Sequence, residues 1–213
     1  MYFLVFGAYI GLNFIALEVG GKIKDATNWG YLVCANGLFL AVPATRNSIL
    51  VLLLGLPFDK ALLFHRWLGR WITFCVSMHC FLFWDQWTEQ KRVIKDEMFN
   101  NSKNLWGVLA WFCSVIIFIT SLNYLRRRFF EYFYYSHFMF IAFYVFGWLH
   151  TEEFTLYAVL ALVLYGLDRV YRLLRGNLPQ HCSLVQLKPG NVVQIRYNKT
   201  LFAHRYKVGQ YGT

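Results

Sequence analysis

"HRWLGRWITFCVSMH", residues 65–79, and "HFMFIAFYVFGWLH", residues 137–150, decide how this chain folds. Each is an apolar run bracketed by two histidines. A bilayer core about 30 Å thick needs about 20 apolar residues in a helix. Lipid leaves backbone groups no outside partner, so such spans should be helical. Working outward from the two stretches, apolar runs begin at Tyr2, Trp29, Leu62, Leu105, Phe133 and Phe154. They end near Leu17, Leu56, Trp84, Leu125, Leu149 and Leu174. The second run is long and contains Pro43 and Arg46, so a bend is expected there. The expectation is an all-α membrane protein, a six-helix transmembrane bundle over residues 1–176 embedded in the lipid bilayer.

Composition supports this. The chain is 58% hydrophobic and only 15% charged, where soluble proteins keep roughly a quarter of their residues charged. No charged leader or small-residue cleavage site precedes the first run, which is therefore not read as a removable signal peptide. The net charge of +10 does not point to nucleic acid, because the basic residues cluster between apolar runs. Lys60, Arg126-Arg127-Arg128 and "DRVYRLLRG" (168–176) fall on alternate connections, whereas residues 85–103 are charge-balanced and Thr151-Glu152-Glu153 is acidic. Lys and Arg are retained on the cytoplasmic face, so both termini are expected there. The sequon Asn100-Asn101-Ser102 then lies outside, and Asn198-Lys199-Thr200 inside. The five cysteines (34, 75, 80, 113 and 182) show no metal or redox spacing. From about residue 177 the pattern changes: "CSLVQL" and "NVVQIRY" alternate around Pro189-Gly190, as strands about a turn do. Residues 177–213 are too few for an independent domain and read as the first strands of a larger cytoplasmic one.

A histidine inside a membrane helix tends to be functional. Taken singly, each can equally be a structural residue bonded to a backbone carbonyl on a neighbouring helix. Paired levels weigh against that. His65 and His79 are fourteen residues apart, and His137 and His150 thirteen, or about 21 and 20 Å along a helix. His65 then levels with His137, and His79 with His150. Two bis-histidine sites, one above the other, are the economical reading, and neutral imidazole is a good axial ligand for haem iron. Fourteen residues return to within about 40° of one face, whereas thirteen miss by about 140°. The fifth helix is therefore expected to be distorted, with Gly147 a candidate position, or its two histidines approach from different sides.

The spacings, together with "VPATRNSILVLLLGLPFDKALLFHRWLGR" (42–70), "RRRFFEYFYYSHFMFIAFYVFGWLH" (126–150), "DRVYRLLRG" and "HRYKVGQY" (204–211), resemble the ferric reductase and NADPH oxidase superfamily of membrane flavocytochromes. That resemblance implies two b-type haems, the inner on His65 and His137 and the outer on His79 and His150. It further implies FAD and NADPH on domains following Thr213, and residues 177–213 as the start of a flavin-binding β-barrel. His204, Tyr206, Gly209, Gln210 and Tyr211 would then lie on the FAD side. NADPH oxidases carry a further histidine four residues after the outer ligand of the third helix, and this chain has Phe83 there. An extracytoplasmic ferric or cupric chelate is accordingly favoured as acceptor over O2 reduced to superoxide. Arg46 is a candidate for a haem propionate or the acceptor site, with snorkelling to the headgroups as its ordinary alternative. Arg66 and Arg70 are propionate candidates, with anchoring at the membrane face the alternative. Trp71, Phe143 and Tyr144 lie at mid-depth, where packing is the commoner role. The rival class, a proton or metal transporter, lacks the carboxylates that a relay interleaves with histidine.

Overall fold

The computed structural model describes residues 2–19, 23–45, 58–176, 182–190 and 192–197. It is mostly helical. The helices are α1 (Tyr2–Glu18), α2 (Ala26–Ala41), α3 (Phe58–Glu89), α4 (Ile94–Phe99), α5 (Ser102–Thr120), α6 (Asn123–Arg128), α7 (Phe130–His137), α8 (Met139–His150) and α9 (Glu153–Gly176). Each of the six apolar runs carries helix, but not as six uninterrupted rods.

Three boundaries correct the expectation. The second run does not continue as one bent helix: α2 stops at Ala41, and Pro43 sits in a 3-10 turn over Val42–Ala44. Proline has no N–H to donate and clashes with the preceding turn, so the α-helix ends there. The fourth run ends at Thr120 rather than Leu125, and the Arg triplet closes the separate short helix α6, where cations suit the C-terminal dipole. The fifth run breaks at Phe138, not near Gly147. Phe138 donates to the Tyr135 carbonyl at 3.2 Å and accepts from Ile141 at 3.0 Å. These i to i+3 bonds belong to a tightened turn, which rotates the chain about 120° per residue instead of 100° and so acts to close the thirteen-residue mismatch. Gly147 marks a close crossing instead, since a Cβ there would stand 2.9 Å from the Phe154 ring of α9.

The core gathers Trp29, Leu68, Trp71, Ile72, Cys75, Val76, Ala110, Cys113, Phe143 and Phe154. Close packing runs α2 with α3, α2 with α9, and α5 with α8, with α3 and α5 in lighter contact. Of the histidine-bearing helices α3, α7 and α8, α3 is not closely packed with either of the other two among the described elements. The outside of the bundle is apolar: Leu156, Leu162 and Leu167 of α9 and Ile141 of α8 are all largely exposed. Water would not tolerate so continuous an apolar surface, and lipid does. Two helices, Ser102–Thr120 and Glu153–Leu174, are by themselves long and apolar enough to cross a membrane.

One group of polar side chains inside this apolar bundle is satisfied mutually, as burial favours. Asn36 of α2 donates to Asn13 of α1 at 2.9 Å and accepts from Tyr9, and the Trp71 indole reaches the same Asn13 oxygen at 3.4 Å. This clamp ties α1, otherwise lightly packed, to α2 and α3. Beyond the helices, β1 (Cys182–Lys188) pairs antiparallel with β2 (Val192–Tyr197), with Val185 opposite Ile195 and Leu187 opposite Val193. Gly190 in the connection has φ 87°, a left-handed conformation that glycine adopts without a Cβ clash.

Candidate functional site

The structure brings the four histidines together two by two. The rings of His65 and His137 have centroids 6.1 Å apart, and those of His79 and His150 are 6.0 Å apart. The ring planes cross at 62° in the first pair and 83° in the second. Among the described elements α3 is not closely packed on α7 or α8, yet the imidazoles that these helices carry approach one another. Two imidazoles ligating one iron, with metal–nitrogen bonds of about 2 Å, place their ring centroids about 6 Å apart. Both pairs match that separation.

Three of the four rings are held from behind. Nδ1 of His65 donates to the Leu40 carbonyl at 3.0 Å, that of His79 to Ala26 at 2.8 Å, and that of His150 to Lys103 at 2.7 Å. A carbonyl can only accept, so these bonds place the proton on Nδ1 and leave a lone pair on Nε2 that is able to ligate. Ligating histidines are oriented in this way by outer partners. A backbone bond and a ligand role thus occupy different ring nitrogens of one residue. Leu40 is accessible because α2 ends at Ala41, and the last carbonyls of a helix lack intrahelical donors. Sequence reasoning foresaw a carbonyl on a neighbouring helix as a partner for such a histidine but did not identify these three; the local signal was Pro43, beyond Leu40 at the end of α2. His137, at the last residue of α7, has a buried Nδ1 without a partner among the described residues. Ser136 beside it anchors that turn by donating to Thr120 of α5 at 2.8 Å.

Arg66, next to His65, has a buried Nε without a partner among the described residues. Arg126, Arg70 and Arg127 are close enough to act on its charge. Arg70 also lies over the Trp67 ring at 5.1 Å. Clustered cations without a carboxylate partner among the described residues suit an anion from elsewhere. Phe83 covers the other pair, its ring 4.9 Å from that of His79. Tyr144 donates to the Gly37 carbonyl at 2.6 Å, Phe143 is buried in the core, and Trp71 turns toward Phe14, Phe74 and Asn13. Those mid-depth aromatics have packing partners. Arg46, His181, His204, Tyr206, Gly209, Gln210, Tyr211 and the sequon at Asn198 lie outside the described residues.

A bundle with an apolar exterior and histidines paired inside has the character of a membrane-embedded component. The chain belongs to the ferric reductase like transmembrane component family, whose model matches residues 29–148. That match takes in His65, His79 and His137 and stops two residues short of His150. Ferric reduction oxidase 5 of Arabidopsis thaliana is 28% identical over 169 residues, covering 78% of this chain and 24% of the relative. Ferric reduction oxidase 7, chloroplastic, of the same plant is 29% identical over 180 residues, 78% and 24% of the two chains. Ferric reductase transmembrane component 6 of Saccharomyces cerevisiae is 25% identical over 199 residues, 85% and 27%. The chain spans about a quarter of the length of these curated relatives.

Proposed function

We propose that this chain is the transmembrane electron-transfer part of an oxidoreductase that draws on NADPH and FAD at the cytoplasmic side and delivers electrons to a ferric or cupric chelate outside. His65 and His137 hold an inner haem b, and His79 and His150 an outer one. One observation carries the reading: two histidine pairs at the bis-imidazole separation, with Nδ1 engaged on three of the four rings. A haem held by each histidine pair would supply single-electron exchange.

The donor set favours haem over a transported metal ion. A zinc-like ion seeks four protein or water ligands, whereas a porphyrin leaves only two positions to fill. Among the described residues no three of His, Cys, Asp and Glu converge. The chain's own residues do the rest. Leu40, Ala26 and Lys103 fix three of the imidazoles, and Arg66 with its neighbouring arginines offers charge to propionates. Basic connections hold the inner pair at the cytoplasmic face. The exposed Val185, Leu187 and Val193 give the hairpin an apolar surface suited to the next strands of a flavin-binding barrel. The relatives' names, ferric reduction oxidase and ferric reductase transmembrane component, support a metal chelate as acceptor.

Purified protein should be red, with a reduced b-type spectrum and two haems per chain. A folded, monodisperse, colourless preparation would end the proposal. Joined to flavin and nucleotide domains, the protein should reduce ferric chelate with NADPH in the presence of superoxide dismutase. Superoxide as the main product would replace the chelate by O2 as acceptor.

A further inference from the structure

The two outer histidines are seated in the same way on two different helices, and a glycine makes each seat. On α2 the His79 ring donates to the Ala26 carbonyl, and Gly30 lies four residues on. A Cβ on Gly30 would stand 3.0 Å from Cε1 and 3.1 Å from Nδ1 of that ring. On α5 the His150 ring donates to the Lys103 carbonyl, and Gly107 lies four residues on. A Cβ on Gly107 would stand 2.8 Å from both Cε1 and Nδ1.

The repeat has a physical reason. In an α-helix the carbonyl of residue i accepts from the N–H of residue i+4. Each imidazole therefore uses the second lone pair of a carbonyl whose first serves the glycine's own N–H. To reach it, the ring lies along the turn between i and i+4, over the spot where the i+4 side chain would begin. Only glycine leaves that spot open. The same Trp-Gly pair stands at both places, Trp29-Gly30 and Trp106-Gly107. The inner pair is held otherwise: His65 takes the helix-end carbonyl of Leu40, and the Nδ1 of His137 takes none among the described residues.

The geometry points to Gly30 and Gly107 as positioning residues that set the height and plane of the outer imidazoles, holding the rings 83° apart. This inference rests on the bis-histidine haem reading. Two imidazoles on one iron share the iron–nitrogen axis, so the angle between the rings is the angle between the ligand planes. Crossed planes give a low-spin ferric haem a strongly anisotropic EPR spectrum, and parallel planes a rhombic one.

The test compares purified wild type with Gly30→Ala, Gly107→Ala and Gly166→Ala, a control position where a Cβ would meet nothing within 4 Å. Alanine ordinarily favours a helix over glycine by up to about 1 kcal/mol, so a loss at positions 30 or 107 is not a propensity effect. Each of the two variants should shift the EPR signal and midpoint potential of one haem, or lose that haem alone, with the other haem as in wild type. Gly166→Ala should match wild type. Folded Gly30→Ala and Gly107→Ala proteins with both haem signals unchanged would overturn the inference. If the alanine variants do not fold, wild type decides: two signals both of the parallel-plane kind overturn it, and a strongly anisotropic signal supports it. A wild type without haem fails the underlying reading instead, an outcome distinct from two haems indifferent to the glycines.

Discussion

The inner and outer histidine pairs end at nearly the same ring separation, 6.1 and 6.0 Å, but the protein holds them by different means. Both outer rings are backed by carbonyls near the starts of continuous helices, Ala26 on α2 and Lys103 on α5. In the inner pair, His65 of α3 is backed instead by a carbonyl at the end of α2, and His137 closes α7 one residue before the break, its Nδ1 without a partner among the described residues. Beside it sits a group of arginines with no carboxylate partner among the described residues. The outer pair is thus oriented by rigid backbone, and the inner pair by a joint plus charge. On the proposed reading, a site built on continuous helices would be set before its cofactor arrives, whereas one beside a break and clustered cations would be completed by an anionic group.

The sharpest way to break this contrast is to remove one ligand at a time. His79→Leu should abolish the outer haem and His137→Leu the inner one, each leaving the other haem and each reducing transmembrane electron transfer to background; optical spectra and haem content read this out. If either single variant lost both haems, the pairs would not be independent sites. Next in size, Arg66→Gln should lower the inner haem's midpoint potential by on the order of tens of millivolts and leave the outer one in place. The sign follows because reduction adds negative charge, which a nearby cation stabilises. A redox titration in which the outer potential moved instead would place Arg66 with the wrong pair.

Smaller effects concern packing. Ser136→Ala removes the α7–α5 tie next to His137 and should cost about 1 kcal/mol of stability, with a larger change in the inner haem's spectrum than in the outer's. Asn13→Ala leaves Asn36 and Trp71 short of a partner and should cost about 0.5–1 kcal/mol, since polar contacts in lipid are modest. Thermal unfolding should register that loss with both haem spectra unaltered. A selective spectral change would show that α1 contributes to one site.

Much of this protein was legible because the relevant physics is local. The rise of a helix belongs to the helix, so spacings of fourteen and thirteen residues level His65 with His137 and His79 with His150 before any packing is known. Apolar runs marked the helices, and Pro189-Gly190 marked the turn between β1 and β2. Where a helix yields was less legible: Gly147 drew attention as a flexible residue, yet the break lies at Phe138, since Gly147 is where Phe154 must pack closely. That a ring nitrogen could bond a carbonyl on a neighbouring helix was foreseeable, but which carbonyl was not. The carbonyls that hold His65, His79 and His150 lie 25, 53 and 47 residues away in sequence. A carbonyl is common to every residue, so no side-chain pattern announces which one a neighbouring helix presents. Only the tertiary structure decided that, together with the two glycines, Gly30 and Gly107, whose missing Cβ atoms let the outer rings in.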